Sequence, residues 1–144
     1  KGADTVWAAG NGGSAANASH LAAHLVECGI NAVCLNDNVP LLTAVSNDYG
    51  YNFVFTQFME RRLKEGAAVV VLSCSGESQN IYELLLLARL RGVRTYGLLG
   101  FGGGDCLNLC DLAVVLDSED YGAIEDCHSA IIHAIRKALL TNGH

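Results

Sequence analysis

The chain has 144 residues, half of them apolar, with one proline and a net charge of −6. That is enough for one domain with a buried core. The acidic balance, with no basic cluster, excludes nucleic acid as a direct partner, and no apolar run reaches the length of a membrane span. No basic start with a small-residue cleavage site marks a signal peptide. Six cysteines occur without a C-x-x-C pair, which suits reduced thiols in a cytoplasmic protein. Cys106 and Cys110, four apart, can share a helix face, but no second pair completes a metal clip.

Strands and helices alternate along the chain. Thr5 to Ala9 reads as a strand, followed by Gly-Asn-Gly-Gly-Ser and a helix from about Ser14 to Glu27. Ala32 to Leu35 is a second strand. Pro40 opens a short helix, Leu41 to Val45, because proline is tolerated in a first turn. Phe53 to Leu63 reads as a further helix. The strand Ala67 to Leu72, the helix Ser78 to Arg91 and the strand Thr95 to Leu99 come next. The glycine-rich stretch 100–104 is a loop, Leu107 to Cys110 a brief helical turn, Leu112 to Leu116 a fifth strand and Tyr121 to Leu140 a long closing helix. Strands separated by helices need crossover connections, so the sheet is expected to be parallel with helices on both faces: an α/β three-layer sandwich of flavodoxin-like form. Ligands on such sheets bind beyond the carboxyl ends of the strands. No repeat, low-complexity tract or domain boundary interrupts the chain, which is expected to be one domain over residues 1–144.

The most informative stretch follows the strand ending at Leu72: Ser73, Cys74, Ser75, Gly76, Glu77, Ser78, then a helix. Backbone N–H groups are free at a helix start and the dipole there favours an anion. Three hydroxyls add donors, and Gly76 lets the backbone curl close to a ligand. Without a Lys or Arg in the loop, dipoles and hydrogen bonds would hold the anion, which suits a phosphate monoester. The plainer alternative is an ordinary N-cap at Ser78. Gly10 to Ser14 forms a second turn at the same sheet edge, but it lacks the G-x-G-x-x-G spacing, and Asn36-Asp37 is a poor ribose-binding pair. No nucleotide cofactor is expected.

His20 and His24, four apart, share a helix face. Glu125 and His133 lie eight apart on the last helix. Together they form a plausible zinc set, although the helix separates Glu125 from His133 by a rise of ~12 Å, so that they converge only by leaning together or across a subunit interface. Such histidines are also common as plain surface residues. His128 reads as a helix-surface histidine without a role, and His144 is terminal.

Gly-Asn-Gly-Gly-Ser-Ala-Ala, then His20, then Ser-Asn-Asp-Tyr-Gly-Tyr at 46–51, the serine loop, and Ile124-Glu125-Asp126-Cys127-His128 leading to His133 resemble, in this order, the SIS (sugar isomerase) family. The similarity is strongest to its phosphoheptose isomerase branch, which converts sedoheptulose 7-phosphate to a heptose 7-phosphate. The resemblance implies a phosphate site at Ser73, Ser75 and Ser78 with Cys74 where the family usually has Thr. It also implies sugar contacts at Asn11 and Ser14, a substrate-lining pair at Asn47 and Asp48, a catalytic histidine at His133, and zinc at His20 and neighbouring positions in some members. Family members form tetramers with sites shared between chains. The apolar faces of Phe53 to Leu63 and Ile131 to Leu140 are the expected interface area of a homotetramer or dimer.

The chain departs from the family at several positions. His24 stands where the resemblance implies the glutamate that acts as base, Glu125 where it implies glutamine, and Ala123 where it implies arginine. The loop after the first helix is shorter, and the family's helical segment ahead of the first strand is not in this sequence, which is expected to be a fragment or trimmed form. Three readings stay open. The first is an aldose–ketose isomerase working through an enediol, with Glu125 or His24 as base, His133 as proton shuttle and zinc on His20, His24, Glu125 and His133. The second is a non-catalytic phosphosugar-binding or regulatory protein acting through protein contacts. The third is a structural metal clip at a subunit interface.

Overall fold

The computed structural model describes residues 4–142 of the chain. Five strands, β1 (Val6–Gly10), β2 (Ala32–Cys34), β3 (Ala68–Ser73), β4 (Arg94–Leu99) and β5 (Leu112–Val115), form one sheet. All pairs are parallel and the order is β2-β1-β3-β4-β5. The helices are α1 (Gly13–Glu27), α2 (Val39–Tyr49), α3 (Thr56–Met59), α4 (Gln79–Leu90) and α5 (Tyr121–Asn142). This is the expected three-layer α/β sandwich.

Two apolar cores lie on the two faces of the sheet, as the alternation of side chains along each strand requires. On one face Trp7, Ala9, Val69, Val71 and Leu99 pack with Ile81, Leu84, Leu85 and Ala88 of α4 and with Phe55, Met59 and Leu63. On the other, Ala8, Leu72 and Leu98 meet Ala18, Leu21, Ala22 and Leu25 of α1 and Ile132 of α5. Beyond Ile132, α5 leaves the sheet partly uncovered. An apolar groove of about 560 Å³ remains there, between Val70, Leu112 and Val114 on the sheet and Ile131, Ile135 and Leu139 on the helix.

The element boundaries match the sequence expectations within a residue or two, with two exceptions. The helix beginning at Pro40 runs on to Tyr49: Asn38 caps it by accepting from the Leu41 N–H at 3.1 Å, and Gly50, at φ 90°, ends it. The continuous helix expected over Phe53 to Leu63 is instead a 3₁₀ turn at Tyr51–Phe53, the single turn α3, and further turns. Part of the apolar surface of this stretch is used within the chain. Val54, Phe55, Met59 and Leu63 point into the chain's own core.

His128 is a further correction. It lies on the α5 stripe Ile124–His128–Ile132 and is fully buried, with Nε2 3.3 Å from the Leu99 carbonyl and Nδ1 without a partner. The four-residue spacing of the stripe places it between two isoleucines facing the core.

The sheet order reverses between β1 and β3, which run out on opposite sides of the first crossover. The crevice at that switch point is where such sheets bind ligands. Gly10 pairs in register with Leu72, so the turns after the two strands emerge side by side.

Candidate active site

The turn after β1 is shaped by its neighbours. Asn36, at the end of β2, brackets Gly10 by accepting from its N–H at 3.2 Å and donating to its carbonyl at 2.9 Å. That amide supports the turn. A Cβ on Gly10 would collide with the backbone of Ser14 as α1 folds back over it.

The turn after β3 is built from its own hydroxyls. Ser73 Oγ accepts from the Gly76 N–H at 3.0 Å, and Ser75 Oγ accepts from the Glu77 N–H at 3.2 Å. Both hydroxyl hydrogens therefore stay available to a ligand. Gly76 has φ 67°, and a Cβ there would drive into the Gly103 carbonyl. The glycine-rich loop 100–104 closes over this turn, fixed by the Cys106 N–H on the Gly76 carbonyl and the Asp105 N–H on Glu77 Oε1. Ser78 occupies the N-cap position of α4 without a side-chain cap bond, so its hydroxyl is not spent on the helix. The earliest α4 N–H groups with an acceptor in the chain are those of Ile81 and Tyr82, both on the Ser78 carbonyl. The N–H groups ahead of them are the orphan donors of a helix start, aimed where an anion gains most.

These two turns and the start of α5 enclose a small pocket of about 100 Å³ lined by Asn11, Ser14, Ser73, Cys74, Ser75, Ser78, Tyr121 and Glu125, with Leu72 at its floor. It has two unlike walls. One is the donor-rich start of α4, extended by Asn11. The amides of Asn11 and buried Asn80 hold each other reciprocally, at 2.8 and 2.9 Å, and the Tyr51 hydroxyl donates to Asn11 Oδ1 at 2.7 Å. The other wall carries Glu125. Its carboxylate lies against Gly13, where a Cβ would collide with it, and its backbone carbonyl accepts from Asn17 Nδ2 of α1 at 2.9 Å. Cys74 Sγ joins the walls, 3.7 Å from Ser14 Oγ and 3.9 Å from the Tyr121 carbonyl. Burial, with the Glu125 charge adding to it, pushes the Cys74 thiol up from its usual range, so it sits there as a neutral thiol.

The remaining expected residues lie elsewhere. Asn47 and Asp48 are exposed on α2, where they hydrogen-bond each other at 3.0 Å and do not line the pocket. His20, His24 and His133 form a separate cluster on the α1–α5 seam. Their ring centroids are 4.3, 5.1 and 5.4 Å apart, and one nitrogen from each lies within 4.8 Å of the others. Glu125 is not part of it, because the helical rise between 125 and 133 sets the two residues at different levels of α5. The four-residue set expected from the sequence is thus divided between two places, as is the expected catalytic trio of Glu125, His24 and His133.

The histidine cluster has the chemistry of a metal centre. His24 Nε2 is buried and has no hydrogen-bond partner, while its Nδ1 lies 3.3 Å from Glu27 Oε2. Partial burial and the neighbouring His24 and His133 hold the His20 imidazole below its ordinary pKa, favouring the neutral form that ligates metal. Below the cluster, Arg136 grips both oxygens of Glu27, one of them through Nε at 2.6 Å, and pulls the Glu27 carboxyl down to about 2. Three converging imidazoles are a donor set that suits zinc.

Sequence reasoning missed Tyr51, Asn80 and Tyr121. Tyr51 had a signal in the Ser-Asn-Asp-Tyr-Gly-Tyr stretch. Asn80 is a polar residue on the buried side of α4, next to Ile81, and only the helix phase reveals it. Tyr121 has none beyond opening α5.

The SIS domain family model matches residues 1–100. The phosphoheptose isomerase of Geobacter sulfurreducens is 45% identical over 132 residues, 88% of this chain and 70% of that protein. Two solved structures superpose closely. The Neisseria gonorrhoeae phosphoheptose isomerase has a TM-score of 0.91 at 31% identity, over 96% of this chain and 77% of that one. The Francisella tularensis phosphoheptose isomerase has a TM-score of 0.90 at 26% identity, over 96% of this chain and 76% of that one. With its five-stranded parallel sheet and the two turns at the switch point, the chain belongs to the SIS domain family, among the relatives of the phosphoheptose isomerases.

Proposed function

We propose that this chain is a phosphosugar isomerase that interconverts a ketose and an aldose through an enediol, with sedoheptulose 7-phosphate as substrate. One observation carries the reading: the Glu125 carboxylate faces the same small pocket as the serine turn and the open start of α4. A donor-rich wall suits the phosphate, and a carboxylate on the opposite wall is repelled by it and left for the sugar end. Ser73, Ser75, Ser78 and the α4 N–H groups bind the phosphate; Asn11, held by Asn80 and Tyr51, and Ser14 orient hydroxyls.

Glu125 takes the proton from the carbon beside the carbonyl. The C–H electron pair forms the enediol double bond as the carbonyl π pair moves to its oxygen, which takes a proton from solvent; the neighbouring hydroxyl then gives its proton to solvent and becomes the new carbonyl, while Glu125 returns the carbon-bound proton to the former carbonyl carbon. In this reading His20, His24 and His133 would hold zinc, which when bound would tie α1 to α5 and so order the site. A cytoplasmic setting, with six free thiols, and self-association into dimers or tetramers belong to the same proposal. The groove beside Ile131, Ile135 and Leu139 is the apolar face left open for that association. No described helix is long and apolar enough to cross a membrane.

The test is aldose formation from sedoheptulose 7-phosphate, with zinc and with chelator. Glu125→Gln is expected to lower kcat by roughly 10²- to 10⁴-fold while inorganic phosphate still binds. Full turnover by that variant, or none by the unaltered protein in any metal condition, overturns the proposal.

A further inference from the structure

The seam between α1 and α5 holds more than three histidines. His24 and Glu27 are one turn apart on α1, and His133 and Arg136 are one turn apart on α5. The lower turn pairs Glu27 with Arg136 through both carboxylate oxygens; the upper turn brings the imidazoles together. Glu27 Oε2 connects the levels, 3.3 Å from His24 Nδ1.

A neutral imidazole carries its proton on one nitrogen and its lone pair on the other, and the partner of the first decides which is which. A carboxylate only accepts, so Glu27 requires the proton on Nδ1. The lone pair then falls on Nε2, the atom that is buried and unpartnered beside the other two rings. Without Glu27 the ring is free to protonate Nε2 or to turn about its side-chain bonds, and either loses the ligand. Arg136 pairs with the same carboxylate from α5, on a side chain that is about half exposed.

We infer that Glu27 is a positioning residue for the metal centre, fixing the tautomer and ring orientation of His24 so that Nε2 serves as a zinc ligand. This rests on the zinc reading of the histidine cluster. It also assigns the departure at position 24 a supporting partner supplied by the same helix. Carboxylates in this role contribute about 10- to 100-fold in metal affinity.

The experiment is zinc affinity of the full chain, by competition with a chromophoric chelator, together with the visible spectrum of the cobalt(II) form. Glu27→Gln is expected to bind zinc about 10- to 100-fold more weakly and to change the cobalt spectrum. Arg136→Met, which breaks the same interhelical ion pair but leaves the carboxylate one turn from His24, is expected to stay within about threefold of the unaltered protein, an exposed pair being worth little to the fold. Equal zinc affinity in Glu27→Gln and the unaltered protein overturns the inference. So does an equal loss in both variants, because then the ion pair only bolts the helices. An unaltered protein that binds no zinc overturns the metal reading itself, and the role of Glu27 with it.

Discussion

Gly13→Ala separates the position of the proposed base from everything else in the site. Gly13 is the first residue of α1, and its backbone is not in the left-handed region, so alanine is allowed there. The three atoms nearest to a methyl at this position all belong to the Glu125 carboxylate group, the far end of a flexible side chain. The collision is relieved by moving the carboxylate by on the order of 1 Å, not by moving either helix. Such a misplacement of a reacting group costs about 10²-fold in rate, or ~2.7 kcal/mol in the barrier. The fold responds with the opposite sign: alanine for glycine in a helix gains up to ~1 kcal/mol, and less in the first turn. The predicted variant is therefore as stable as the parent or slightly more so, binds phosphate normally, and turns over about 100-fold more slowly. Steady-state kinetics on sedoheptulose 7-phosphate, urea unfolding and phosphate titration read the three quantities. A variant with unchanged kcat refutes the assignment of Glu125 as base at its place against Gly13.

Two other perturbations test the loop and the buried histidine. Gly76→Ala places a side chain at φ 67° and into the Gly103 carbonyl, so it should cost ~1–3 kcal/mol in urea unfolding and abolish phosphate binding; a variant of parental stability that binds phosphate refutes the packing of loop 100–104 over the serine turn. His128 is held below its ordinary pKa by burial, the Leu99 carbonyl and Glu125 only partly opposing it. Below about pH 6.5 the unfolded chain takes up a proton that the folded chain refuses, so stability should fall as pH drops from about 7 to about 5. His128→Leu should flatten that slope by the share due to His128; an unchanged slope refutes the burial of a neutral imidazole there.

What was legible in the sequence was what depends on local pattern. Apolar runs broken by glycine turns gave five strands, and their alternation with helices required a parallel sheet. The serine turn could be assigned an anion because the donors of a helix start are a property of the helix itself. The stretch after Phe53 failed because its apolar spacing mimics a helix face while its side chains are drawn into the core from successive turns. His128 was misplaced for a related reason: a histidine between two isoleucines at four-residue spacing is assigned by the phase of the helix, and one polar residue carries no phase. Asn47 and Asp48 depended on where α2 ends, and that is set by Gly50 several residues beyond Pro40.

The division of His20, His24, Glu125 and His133 is the most instructive of these differences, because spacing along a helix gives both a face and a level. Glu125 and His133 share a face of α5, which is why a common site suggested itself, but two turns set one at the mouth of the pocket and the other on the seam. The two departures from the family pattern then have separate physical consequences. An imidazole at 24 completes a cluster of three imidazoles in place of a carboxylate between two histidines. A carboxylate at 125 lies over Gly13 on the lining of the same pocket as the serine turn. The carboxylate is thus displaced from the level of the metal donors to the level of the substrate. In the proposed mechanism, isomerisation by this chain depends on a base that reaches the sugar from α5 and not from α1. Gly13 and Asn17, the two α1 residues touching Glu125, are the positions through which α1 still controls it.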